Sequence, residues 1–154
     1  MPAKTLKAFL DKNGVKYVSM QHSPAYTAQE IAASAHVSGR DFAKTVIVMI
    51  EEEMAMVVLP ANRQIVLSEL RDMLDTNHVR LASESEFKDL FPDCETGAMP
   101  PFGNLYKMKT FVTANLADEA EIAFNAGAHT EVIKMFYLDF EQLVNPTVLD
   151  FVTN

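Results

Sequence analysis

The chain has no tryptophan and one cysteine, Cys94, among its 154 residues. A lone cysteine excludes an internal disulfide, and the expected location is the cytoplasm. There is no Cys-x-x-Cys pair, and His22, His36 and His78 are scattered without metal-ligand spacing. A metal hydrolase is therefore rejected, and no cofactor is expected. The Gly-x-Ser-x-Gly elbow and the Gly-x-x-x-x-Gly-Lys phosphate loop are both absent. No apolar run approaches the ~20 residues that cross a bilayer, so no membrane partner is expected. The start, Met-Pro-Ala-Lys-Thr-Leu-Lys-Ala-Phe-Leu, has no apolar core followed by a cleavage site; it reads as an amphipathic helix rather than a signal peptide. Positive charge is scarce too. Net charge is −8, which counts against non-specific binding of duplex nucleic acid. The basic residues that exist cluster: Lys4, Lys7, Lys12 and Lys16 at the start, and Arg40 near Lys44.

What is present is an ordinary globular composition, 49% hydrophobic and 22% charged. The length suits one domain over residues 1–154, and no repeat, linker or low-complexity segment divides it. Leu6, Phe9 and Leu10 predict a first helix, with Gly14 as its C-cap. Lys16 to Met20 reads as a strand, and Thr27-Ala-Gln-Glu30 caps a helix from Ala28 to His36. Ala43 to Ile50 and Met54 to Leu59, joined across Glu51-Glu52-Glu53, predict a core β-hairpin. Beyond it come a short helix from Ser68, a strand from Val79, and a helix capped by Ser83. Strands are expected at Leu105 to Lys107 and Thr110 to Thr113, a second hairpin at Glu121 to Met135, and a helix at Leu138 to Val144. The class is α+β, with a mixed, mostly antiparallel, barrel-like sheet and flanking helices.

Residues Cys94 to Asn104 read Cys-Glu-Thr-Gly-Ala-Met-Pro-Pro-Phe-Gly-Asn. Glycine and proline together make a shaped loop, and shaped loops carry function when a rigid scaffold holds them. The same cluster also suits a plain turn. Lys44 stands in an apolar strand, where an ammonium needs a partner or a route to solvent. His129 follows a hairpin turn. Cys94 acts as a nucleophile only with a base such as His129 nearby.

Three pieces in order, Phe42-Ala-Lys44-Thr-Val-Ile-Val, Gly97-Ala-Met-Pro-Pro101-Phe102-Gly103 and Asn125-Ala-Gly127-Ala-His129-Thr130, resemble the motifs of the YbaK/ProX family. These proteins are free-standing relatives of the editing domain inserted in bacterial prolyl-tRNA synthetase. The opening helix and His22-Ser23-Pro24 fit as well, so the resemblance covers nearly the whole chain. It implies a metal-free deacylase that acts in trans on mischarged tRNA, removing a small amino acid such as alanine or cysteine from proline tRNA. An aminoacyl-tRNA synthetase is the second partner in this reading, delivering the substrate to an acidic chain. Lys44 aligns with the family's essential lysine. Gly97, Pro101, Phe102, Gly103, Gly127 and His129 align with the walls of one pocket. Backbone N–H groups of Gly97 and Gly103 suit an oxyanion, and Cys94 becomes a bystander. The alternative is a non-catalytic module that binds a nucleotide or small ligand on the same fold.

Overall fold

A computed structural model describes residues 4–22 and 38–150. The helix expected at 28–36 lies outside the described residues. The first helix, α1 (Lys4–Lys12), buries Leu6 and Leu10. It ends as expected. Gly14 has φ +67°, its N–H meets Asp11 O at 3.1 Å, and Val15 N–H meets Leu10 O at 3.2 Å, a Schellman closure.

Strand β1 (Tyr17–Gln21) follows, then the hairpin of β2 (Phe42–Ile50) and β3 (Glu53–Pro60). Glu51 and Glu52 both have positive φ, 52° and 70°, the primed turn that matches strand twist. Next are α2 (Leu67–Leu74), β4 (Val79–Leu81) and α3 (Glu84–Phe87). The capping box of α3 forms: Ser83 N–H donates to Glu86 Oε1 at 2.8 Å, and Arg80 grips the same carboxylate with two bonds of 2.8 Å. The remainder is β5 (Lys109–Thr113), α4 (Ala114–Ala117), β6 (Glu121–Asn125), β7 (Glu131–Phe136), α5 (Tyr137–Val144) and β8 (Thr147–Leu149).

The sheet order is β1-β7-β6-β2-β3-β5-β8, with β4 on β2. The hairpins β2–β3 and β6–β7 and the pairs β1–β7 and β2–β4 are antiparallel; β2–β6, β3–β5 and β5–β8 are parallel. The path does not close on itself, so the barrel-like expectation is corrected to an open sheet. A second correction concerns Leu105 to Lys107, expected as a strand. Those residues form a 3₁₀ turn over Gly103–Tyr106, ended by Lys107 at φ 58°. Met108 N–H returns to Gly103 O at 2.9 Å, which local apolar content does not reveal. The short elements α4 and β8 carry no periodicity of their own.

Strand alternation divides the core. On one face Ala43, Val58, Val112, Phe124 and Ile133 pack with Leu6 and Leu10 of α1 and with Tyr137 and Phe140 of α5. Farther along the same face, Ile47 and Met56 pack with Phe91 and Met99. On the other face Val48, Val57 and Phe111 pack with Leu70 of α2. The Gly/Pro loop thus lies over the α1 and α5 face of the sheet.

Candidate functional site

The turn between β6 and β7 and the first half of the Gly/Pro loop are stitched together by backbone. Glu95 N–H donates to Gly127 O at 2.7 Å, and Gly127 N–H donates to Ala98 O at 2.9 Å. Two side-chain bonds reinforce them: His129 Nε2 meets Thr96 O at 2.9 Å, and His129 N–H meets Glu95 Oε1 at 3.2 Å. A carbonyl only accepts, so this contact puts a proton on Nε2. Gly97 and Gly127 have φ +87° and +91°, angles that side chains resist. A Cβ on Gly97 would also sit 3.5 Å from His129 Cε1. Thr96 and Gly97 stay exposed, while Gly127 and His129 are buried behind them. The Gly97 N–H points at Met99 Sδ, 3.2 Å away, and a thioether is a weak acceptor. A stronger acceptor can displace it.

The second half of the loop faces inward. Pro101 is buried and Phe102 is 0% exposed, its ring 6.2, 5.5 and 5.4 Å from those of Phe9, Phe124 and Phe140. No surface of Phe102 is left to meet a ligand; it holds the loop from behind. Gly103 is glycine for room: a Cβ there would stand 2.3 Å from Thr110 Oγ1 and 2.6 Å from Met108 O. Its N–H already donates to Thr110 Oγ1 at 3.2 Å. The idea of Gly103 as an oxyanion donor is corrected on that ground.

Lys44 pairs across the hairpin with Leu59, and the β2–β6 register ends at Ala43↔Phe124. One step on, Lys44 lies level with Asn125, and Asn125 leads directly into Gly127 and His129. Register partners in a parallel pair share a face. Lys44 shares its face with Phe42, Val46 and Val48, whereas Ile47, which packs with Met99, points the other way. Lys44 and Gly97 therefore connect around the strand end, by way of Asn125, rather than across one face. The Lys44 ammonium is half-buried, and desolvation lowers its pKa from the ordinary lysine value. Asn125 is 7% exposed, and its Oδ1 is buried with no hydrogen-bond partner.

The model of the aminoacyl-tRNA editing domain family matches residues 22–143. The chain belongs to this family. Solved structures share its fold. One is the hypothetical protein APE2540, 19% identical with a TM-score of 0.85, covering 98% of this chain and 100% of that one. Another is a proposed trans-editing enzyme for prolyl-tRNA synthetase, 18% identical with a TM-score of 0.81, covering 97% of this chain and 95% of that one. No curated protein matches the chain.

The thiol of this editing domain is set apart from its histidine. Cys94 Sγ lies 3.3 Å from Tyr106 OH, which donates to Asp93 Oδ1 at 3.2 Å. Burial pushes the thiol up to about 11, so it is protonated at neutral pH. His129 faces Thr96 instead, and among the described residues no histidine is bonded to Cys94. A cleft of about 820 Å³ opens at the far end of the β2–β3 hairpin, between Glu51, Tyr106 and Lys109; neither Lys44 nor residues 94–98 line it. Among the described residues no helix is long and apolar enough to cross a membrane. Sequence reasoning passed over Glu95 and Asn125. Asn125 opened the Asn-x-Gly-x-His-Thr motif, so its signal was present; Glu95 had none, because its partner is distant in sequence.

Proposed function

We propose that this editing domain is a trans-acting deacylase that hydrolyses the ester between a small amino acid and the terminal ribose of mischarged tRNA. Alanine or cysteine on proline tRNA is the substrate of this reading. The observation that carries it is the convergence at one strand end of Lys44, Asn125, the Gly127–His129 turn and the exposed Gly97 edge. Burial disfavours the Lys44 charge, and an anion beside it favours that charge. The terminal phosphate or the developing oxyanion is such an anion. The Gly97 N–H, held only by a thioether, is a second donor for the oxyanion.

In the reaction, water adds to the ester carbonyl carbon and gives a tetrahedral oxyanion. Its collapse breaks the bond to the ribose oxygen, which takes up a proton. The products are free amino acid and tRNA with an intact terminal diol. Among the described residues no side chain at the site is an evident base, and in this scheme the free ribose hydroxyl beside the ester positions the water. Small acyl groups enter and larger ones are excluded by size.

Charge supports an approach of RNA from the Lys44 end. Arg40 and Arg63 are exposed there, on turns that touch: a Cβ on Gly39 would lie 3.4 Å from Asn62 Cβ, and Ala61 N–H bonds Phe42 O at 2.7 Å. Arg40 is offset by Glu119 at 3.4 Å and Asp41 at 3.9 Å. Lys7 at the N-terminus is paired with Glu131. A basic face this small predicts few phosphate contacts, and delivery by a synthetase compensates. The test is a deacylation screen of purified protein against mischarged tRNAs, with Ala-tRNA and Cys-tRNA for proline among them. Turnover of one of these, with Pro-tRNA untouched, is expected. No turnover on any substrate overturns the reading.

A further inference from the structure

The Asn125 carboxamide places a buried acceptor at the end of β6, where the turn to His129 begins. It is 7% exposed and its oxygen has no hydrogen-bond partner. A buried polar group without a partner costs free energy, and most such groups in folded proteins are paired. Neighbouring residues use their own groups: Ala126 N–H bonds Glu131 O at 3.1 Å and Gly127 N–H bonds Ala98 O at 2.9 Å. Asn125 pairs with Val132 on β7, an apolar residue that offers no side-chain donor. On its other side it is level with Lys44, one step past the last β2–β6 pair. The orphan acceptor therefore belongs to the residue level with Lys44 at the strand end.

We infer that Asn125 is a substrate-recognition residue whose carboxamide oxygen accepts a hydrogen bond from the free hydroxyl of the terminal ribose. This rests on the deacylase reading above. The neighbouring ammonium decides which donor fits. A substrate α-ammonium brought beside Lys44 meets like charge, whereas a neutral hydroxyl does not. The ribose hydroxyl vicinal to the ester is the neutral donor nearest the phosphate and ester that Lys44 would hold. Substrate lacking that hydroxyl leaves the acceptor unsatisfied, as it is in the free protein. Discrimination between ribose and deoxyribose ends follows from the same contact.

The test is a functional-group cycle. Deacylation is measured for wild type and Asn125→Leu on a 3′-aminoacyl substrate ending in adenosine and on one ending in 2′-deoxyadenosine. Wild type loses about 10–100-fold in kcat/KM on the deoxy substrate, the scale of one buried hydrogen bond. Asn125→Leu loses a similar factor on the normal substrate and little more on the deoxy one. The variant keeps its thermal midpoint, because it removes an unsatisfied group. Asn125→Ala, which changes the packing differently, gives the same loss of hydroxyl discrimination. Independent losses that multiply overturn the assignment, as does full hydroxyl discrimination in either variant. A collapse of the thermal midpoint with discrimination unchanged also overturns it. Wild-type protein that cleaves no aminoacyl substrate fails at the earlier step and overturns the deacylase reading itself.

Discussion

The two halves of the loop from Cys94 to Gly103 look alike in sequence and differ in every physical respect. Residues 95–97 are exposed, bonded to the Gly127–His129 turn, and closed by a glycine that needs its φ of +87°. Residues 100–103 are buried, plug the main core, and close on a glycine that needs its missing Cβ. One half presents groups to solvent and the other anchors them. A motif that reads as one unit is therefore two devices joined at Met99, itself packed against Ile47 and Met56.

The sharpest way to break this division is at its anchor. Phe102→Ala should destabilise the fold by about 3–5 kcal/mol in denaturant unfolding. The molecules that remain folded should keep their activity; loss of activity without loss of stability would make Phe102 a contact residue after all. Gly103→Ala comes next, at about 1–3 kcal/mol, since both Thr110 Oγ1 and Met108 O block the methyl group. Gly97→Ala should cost about 1–2 kcal/mol for the left-handed backbone, and its methyl only touches the His129 ring. Its larger effect falls on deacylation, with a lowered kcat. Equal stability losses at the two glycines, with activity intact in both, would erase the distinction. The smallest effect belongs to Cys94. Its thiol titrates at about 11, so alkylation at pH 7.5 should be slow and should accelerate as pH approaches that value. Cys94→Ala should leave turnover unchanged, and inactivation by alkylation would return the thiol to the mechanism.

Much of the fold was legible because the hairpins and α1 carry their own signals. The apolar runs around Glu51-Glu52 specify β2 and β3, and Gly14 closes α1 as its sequence implies. The turn at Gly103–Tyr106 was not legible, because Leu105 and Tyr106 are apolar for reasons of tertiary packing. The open edge of the sheet was equally hidden, since pairing of β5 with β8 depends on where a short, unpatterned segment lands. At the site, resemblance singled out Lys44 and the glycines. It did not separate the glycine that frees an N–H from the one whose N–H is taken by Thr110, a difference set by contacts distant in sequence.

Lys44 offers the most direct test of the account. Burial lowers its pKa, so the unfolded chain binds that proton more tightly, and stability rises with pH between the folded and unfolded values. At neutral pH the desolvated charge therefore works against folding. The measurement is the single-turnover deacylation rate of Ala-tRNA for proline by wild type and Lys44→Met, with the thermal midpoint of each. The account predicts a rate loss on the order of 10²–10³-fold, the scale of removing one preorganised electrostatic group, with a midpoint equal to or above wild type. A Lys44→Met variant that is fully folded and deacylates at the wild-type rate would contradict it.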